Sequence, residues 1–121
     1  MPLPKYHVEF FETESGAVPA EAFIDSLDMK MSAKIYRLLA MIERNGPELR
    51  EPYSKHLDDG IFELRAVFGS NITRVLYFFF IGKRVIVTNG FVKKTQKTPI
   101  SEIDKAKAYR KEYTAREEAK R

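Results

Sequence analysis

The chain has 121 residues, contains no cysteine and carries a formal net charge of +4 at pH 7. This length suits a single domain over residues 1–121, which can bury a core without disulfides or a structural metal. The lack of cysteine excludes disulfides, thiol nucleophiles and cysteine zinc sites, and is compatible with a reducing cytoplasm. There is neither an apolar signal segment at the start nor an apolar run near the ~20 residues of a membrane helix, so we expect a cytoplasmic protein with no membrane contact.

The charge is distributed unevenly along the chain. Residues 1–49 carry a net charge of −3, whereas residues 50–121 carry +7. A basic half is what a polyanion-binding surface requires, and this favours a nucleic acid as the partner. The alternative is an ordinary lysine-rich face in contact with solvent.

The first half of the chain predicts one strand and two helices. Alternating apolar residues predict a strand over 6–11, and apolar residues spaced i, i+3, i+4 and i+7 predict a short amphipathic helix over 18–27. A second apolar stripe predicts a helix over 31–44, ended by Asn45-Gly46-Pro47. Residues 47–59 are rich in proline, aspartate and charge, and we expect them to form an irregular connector.

The second half predicts three strands and a helix. Residues 61–68, 72–81 and 84–89 form successive strands separated by glycine-containing turns. Thr98 has the character of an N-cap, with proline at the first position of a mostly polar helix over 99–119. This order predicts an α+β domain in which the helices pack on one face of an antiparallel sheet.

Familiar catalytic motifs are absent from the sequence. It contains no Walker loop, no dinucleotide-binding glycine motif, no nucleophile elbow and no H-E-x-x-H zinc motif. His7 and His56 are the only histidines, and no carboxylates lie at metal-ligand spacing beside them. We therefore expect neither a metal site nor a cofactor.

Basic residues on three consecutive elements form the candidate site. Arg65 and Arg74 lie on neighbouring predicted strands joined by a short turn, so they can approach each other over one sheet face. Arg74 is the stronger candidate, because a charge in an otherwise apolar strand is costly unless it is paired or functional. We expect it to face the surface and therefore to add little stability. The remaining candidates follow the next strand or lie close by: Lys93, Lys94, Lys97, Lys55, His56 and Tyr77.

Such a cluster suits RNA cleavage without a metal. The 2′-hydroxyl attacks the adjacent phosphate, and fixed cations stabilise the charge that develops on the phosphorane oxygens. His56 and Tyr77 are candidates for acid or base by residue type alone. The alternatives are that Arg65 only pairs with Glu63 or Asp58, that the lysines form a solvated loop, that His56 is an ordinary connector residue and that Tyr77 belongs to the core.

Three segments resemble one toxin family. Residues 57–65 (LDDGIFELR), 73–78 (TRVLYF) and 89–99 (NGFVKKTQKTP) are similar to motifs of the HigB-like, phage-derived Gp-type toxins of the RelE/ParE superfamily. The resemblance covers about residues 5–115. It implies a RelE-like fold and ribosome-dependent, metal-independent mRNA cleavage, suppressed by a cognate helix-turn-helix antitoxin, and it allows a higher-order toxin–antitoxin complex.

Motif matching carries over five basic residues as site residues. Arg65, Arg74 and Lys94 are the predicted catalytic residues among them, and Lys93, Lys94 and Lys97 are predicted to bind RNA. Lys55 is added as a further RNA-binding residue because it is expected to lie near the same basic cluster. Two alternatives stay open: a ParE-like inhibitor of DNA gyrase, and a non-catalytic module that binds nucleic acid or protein. The convergent cations favour the endoribonuclease, because gyrase inhibition needs no set of phosphate ligands.

Overall fold

A computed structural model describes residues 5–92 and 97–120 of the chain. These residues contain three helices and five strands, and a short 3-10 turn at Gly46–Glu48 follows the second helix. Their order is β1 (His7–Phe10), α1 (Pro19–Asp25), α2 (Met29–Asn45), β2 (Ser54–Asp58), β3 (Ile61–Phe68), β4 (Asn71–Phe80), β5 (Arg84–Val92) and α3 (Ile100–Ala119).

All five strands form one mixed sheet in the order β1-β5-β4-β3-β2. Strands β2 to β5 form an antiparallel meander, whereas β1 pairs with β5 in parallel. The α+β class is confirmed, but the prediction of a purely antiparallel sheet is wrong. Alternation of apolar residues shows which side chains share a face and does not distinguish the two pairing directions.

The edge strand β2 was not predicted, and the proposed irregular connector over 47–59 is wrong in this part. Its residues Ser54–Asp58 are mostly exposed, so they have no apolar alternation to reveal a strand. The strand forms because the turn after it folds β2 back against β3, with Lys55 opposite Glu63 and His56 opposite Phe62. Polar, short strands of this kind are typical of sheet edges.

Helices cover both faces of the sheet, which corrects the prediction that they pack on one face. Helices α1 and α2 cover one face, called here the α2 face, with a core that includes Ile35, Leu64 and Val75. Helix α3 covers the other, called the α3 face, with a core that includes Leu76 and Tyr113. Alternate residues of the central strands supply the two cores, so the sheet is buried on both sides as a central apolar strand requires.

Two glycines allow close packing around the sheet. Gly46 ends α2 with a φ of 55°, and a Cβ there would lie 2.2 Å from the ring of Tyr6. At Gly90 of β5 a Cβ would lie 2.4 Å from the ring of Phe23, so this glycine lets α1 approach the strand. Among the residues that the structure describes, no helix is both long and apolar enough to cross a membrane.

Candidate functional site

A cleft of about 350 Å³ opens on the α3 face, between the edge strand β2, strand β3 and the start of α3. Its walls bring three cations together with one carboxylate and one histidine. The lining residues are Lys55, His56, Leu57, Glu63, Arg65, Lys97, Thr98 and Ile103. The cleft therefore combines residues from three separate parts of the sequence.

Two arginines meet on this face of the sheet. Arg65 of β3 lies directly opposite Arg74 of β4 in the antiparallel register. Like charges at opposed positions are destabilising. Glu63 lies two residues before Arg65 and therefore on the same face, where it can compensate both. The predicted approach of the two arginines over one face is confirmed.

The carboxylate of Glu63 joins the two arginines. Its Oε1 lies 3.3 Å from Nη1 of Arg74, and its Oε2 lies 3.3 Å from Nε of Arg65. The hydroxyl of Thr98 donates a short hydrogen bond to the same Oε1, and Nη1 of Arg74 donates to that hydroxyl at 3.0 Å. Both carboxylate oxygens are thus engaged by residues of the site.

Arg74 is buried, so the prediction that it faces the surface is wrong. The exposed fraction is 0% for Arg74, 1% for Glu63 and 6% for Thr98. Burial is tolerated because the ion pair and the hydroxyl compensate the guanidinium charge. Arg65 lines the cleft instead, with its side chain 20% exposed. Its ion pair uses Nε, which is distinct from the two terminal nitrogens of the guanidinium.

Thr98 has a different role from the predicted one. Helix α3 begins at Ile100 with Pro99 as its N-cap, and no side chain caps it. The hydroxyl of Thr98 turns to Glu63 because a buried carboxylate needs donors more than a solvent-exposed helix end does. The threonine therefore fastens the segment before α3 to the floor of the cleft.

The two lysines of the cleft lie on opposite walls. Lys55 of β2 is opposite Glu63 in the sheet register, and its side chain is exposed. Lys97 precedes Thr98 and is also exposed. Lys93 and Lys94 lie outside the described residues, so their predicted roles stay predictions.

His56 lies on the edge strand beside the cleft, and its register partner Phe62 places its side chain towards the α2 face. Its ring contacts Phe62 edge-on at a centroid distance of 5.1 Å. Its Nε2 accepts a hydrogen bond of 3.0 Å from the backbone N–H of Gly60. With Nε2 as the acceptor, the neutral ring carries its proton on Nδ1. The remaining nitrogen of His56 is therefore a donor.

Tyr77 is not brought to the cleft. It points to the α2 face, where its hydroxyl shares a short hydrogen bond with Ser54. Its ring stacks on Phe62. Burial raises the pKa of Tyr77 to about 12. A buried, neutral phenol on the far side of the sheet belongs to the core.

Ion pairs between distant segments hold the cleft in shape. Lys107 of α3 binds Asp58 at 2.5 Å, and Arg110 binds Asp59 at 2.8 Å, so α3 is fastened to the β2–β3 turn. The hydrogen bond from Lys107 holds the pKa of Asp58 below its usual value. Charges on a polar helix and on a turn give no sign in the sequence that they will meet. In the two described ranges, no three His, Cys, Asp or Glu side chains cluster as metal ligands would.

The fold and the cleft define a class: a small α+β domain with an arginine- and lysine-lined cleft on a helix-covered sheet. The family model described as phage derived protein Gp49-like (DUF891) matches residues 22–111. The chain therefore belongs to the Gp49-like family, a toxin-like family related to RelE and HigB. No curated protein sequence matches the chain significantly.

Proposed function

We propose that this protein is the toxin of a type II toxin–antitoxin system, an endoribonuclease that cleaves mRNA on the ribosome without a metal. Membership of a toxin-like family supports the toxin role. The observation that carries the nuclease role is the cleft, in which Lys55, Arg65 and Lys97 surround one space above a buried ion pair. A cluster of fixed cations is what a phosphorane requires.

The proposed reaction is a transesterification within the RNA chain. The 2′-oxygen forms a bond to the adjacent phosphorus, and the bond from phosphorus to the 5′-oxygen breaks. The products are a 2′,3′-cyclic phosphate and a 5′-hydroxyl. Arg65 takes the central role that was predicted for both arginines, because of the two only Arg65 lines the cleft. Its terminal nitrogens can donate two hydrogen bonds to one phosphate.

Two protons move in this reaction. His56 is the candidate general acid by residue type; to act, its ring must carry a second proton and release the hydrogen bond that Nε2 accepts from Gly60. It would protonate the departing 5′-oxygen. The proton of the 2′-hydroxyl passes to a base, for which the predicted catalytic residue Lys94 and solvent are the candidates. Tyr77 has no place in this scheme, because its hydroxyl is buried in the core and bonded to Ser54.

A cognate antitoxin belongs to the proposal. An open basic cleft that cleaves mRNA in the cytoplasm would be lethal unless a partner controlled it. We expect a helix-turn-helix antitoxin that binds near the cleft or the polar helix α3, in a complex that can assemble further. A stable, non-toxic monomer encoded without a neighbouring antitoxin gene would count heavily against this part.

The experiment is induced expression followed by primer extension on a cellular mRNA. We expect growth arrest and cuts at translated positions. Arg65→Ala should abolish both, whereas Arg37→Ala, which removes an exposed arginine of α2, should leave both unchanged. Intact mRNA together with relaxed or broken DNA would favour gyrase inhibition instead.

Analysis of the RNA ends tests the mechanism itself. The fragment 5′ to the cut should end in a cyclic phosphate or a 3′-phosphate. Cleavage should persist after chelator treatment once free magnesium is restored to keep the ribosomes whole. A 3′-hydroxyl end would mean attack by water and would refute the transesterification.

A further inference from the structure

We infer that Arg74, Glu63 and Thr98 form a positioning triad that aims Arg65 and anchors Lys97. This inference rests on the proposed function, because it explains how two phosphate ligands are held. The three residues are buried below the cleft, and no part of the proposed chemistry uses them. Their role would be to fix cations that touch the substrate, while they do not touch it themselves.

Geometry explains how the triad acts on Arg65. Arg74 and Thr98 both engage Oε1 of Glu63, which fixes the rotation of the carboxylate. The other oxygen, Oε2, then meets Nε of Arg65 at 3.3 Å. Because that contact occupies one edge of the guanidinium, it orients the terminal nitrogens relative to the sheet. A carboxylate held at one oxygen is therefore a rigid support for the arginine at the other.

The same triad acts on the opposite wall through the chain. Thr98 follows Lys97 directly and precedes the N-cap of α3. Its hydroxyl is bonded to Glu63 of β3 and to Arg74 of β4. The backbone beside Lys97 is thus fastened to the same point that orients Arg65. One buried hydroxyl couples the two walls, so a change there should move both cations.

The charge pattern supports positioning as the reason for burial. Without Glu63, Arg65 and Arg74 would be opposed like charges in neighbouring strands. A buried ion pair is weak support for stability by itself, since apolar residues of equal volume often serve as well. A buried pair that also reaches a residue of the cleft offers what apolar residues cannot, which is a fixed direction for the exposed guanidinium.

The test is a pair of threonine variants in the full chain. Thr98→Val keeps the shape and removes the hydroxyl, whereas Thr98→Ser keeps the hydroxyl. We expect single-turnover cleavage of mRNA on programmed ribosomes to fall on the order of 100-fold in Thr98→Val, as misplacement of catalytic groups does. The protein concentration that gives half of the maximal cleavage rate should change little. Thr98→Ser should recover most of the rate, and the matched control Thr114→Val on α3 should behave like the wild type.

A second measurement reports on Arg65 without requiring activity. The Nε–H of Arg65, seen by ¹⁵N NMR, should exchange faster with water in Thr98→Val than in the wild type and in Thr98→Ser. A double-mutant cycle measures the coupling between Thr98 and Arg65. With Arg65→Lys already present, Thr98→Val should lower the cleavage rate by much less than 100-fold.

The outcomes separate the two proposals. If the wild-type protein cleaves no RNA, the proposed function fails, and the exchange of the Arg65 Nε–H still decides whether the triad holds that side chain. If Thr98→Val cleaves at the wild-type rate, the positioning role is refuted. It is equally refuted if the rate falls while the Arg65 Nε–H stays protected, or if Thr98→Val and Arg65→Lys act additively.

Discussion

Removal of the Arg74 side chain should destabilise the protein strongly. Arg74→Ala leaves Glu63 buried, with Thr98 and the partly exposed Arg65 as its remaining partners. Removal of one partner of a buried ion pair lowers the free energy of unfolding by about 3–5 kcal/mol, because the other charge stays buried without compensation. Small domains have about 5–15 kcal/mol of stability in total. The variant should therefore be folded only marginally.

The loss of stability in Arg74→Ala should be visible in both thermal and urea unfolding. At about 4 °C per kcal/mol for a chain of this size, the loss corresponds to a fall in Tm of roughly 12–20 °C. Urea unfolding followed by circular dichroism should show a lower midpoint with an unchanged slope. Loss of toxicity in this variant would then reflect unfolding as well as loss of positioning.

Two variants control the interpretation. Arg65→Ala removes the other ion pair of Glu63, but Arg65 is partly exposed, so it should cost about 1 kcal/mol or less. The double variant Glu63→Gln with Arg74→Met replaces the pair by neutral groups and should cost less than the two single changes together. Should Arg74→Ala unfold at the wild-type midpoint, the ion pair is not a structural element and the reasoning from burial fails.

Three further predictions concern the core and the lysine segment. Because burial raises the pKa of Tyr77 from 10 to about 12, the folded state favours the neutral phenol, and Tyr77 should account for about 2–3 kcal/mol of the stability lost between pH 10 and 12. Urea unfolding should show this loss reduced by that amount in Tyr77→Phe, where the raised pKa of Tyr113 still contributes, and unchanged in the exposed control Tyr53→Phe. Gly90→Ala should lower the free energy of unfolding by about 1–3 kcal/mol through collision with Phe23, and the same change should cost less when Phe23→Ala is already present. Equal melting temperatures of Gly90→Ala and the wild type would contradict the close approach. Lys94→Ala should weaken growth arrest and Lys94→Arg should restore it, since a loop lysine acts as a point charge; an inactive Lys94→Arg variant would point to proton transfer instead.

Local patterns in the sequence predicted most of the elements. The alternation in residues 61–68 predicted strand β3 with its observed bounds, and the apolar stripe of α2 predicted a helix that ends at Gly46. These predictions succeed because neighbouring residues decide them. Side-chain period and turn residues act within a few positions, whatever the rest of the chain does.

The cation cluster was also predictable in outline. Arg65 and Arg74 were expected to meet because a short turn between two strands fixes their register. The lysine at position 97 and the two residues Lys55 and His56 were expected nearby, and they line the same cleft. The proposed chemistry therefore started from the sequence.

Tertiary structure alone decided which arginine lines the cleft. Arg65 and Arg74 were both predicted to lie on one face of the sheet and to bind phosphate, so the sequence did not show which of them lines the cleft. They differ because the segment at Thr98 covers Arg74 and leaves Arg65 at the open edge beside β2. The parallel pairing of β1, the polar edge strand β2 and the docking of α3 through Lys107 and Arg110 depend in the same way on partners far along the chain. Burial of a charge is a property of what covers it, and that cover comes from residues that no local pattern joins.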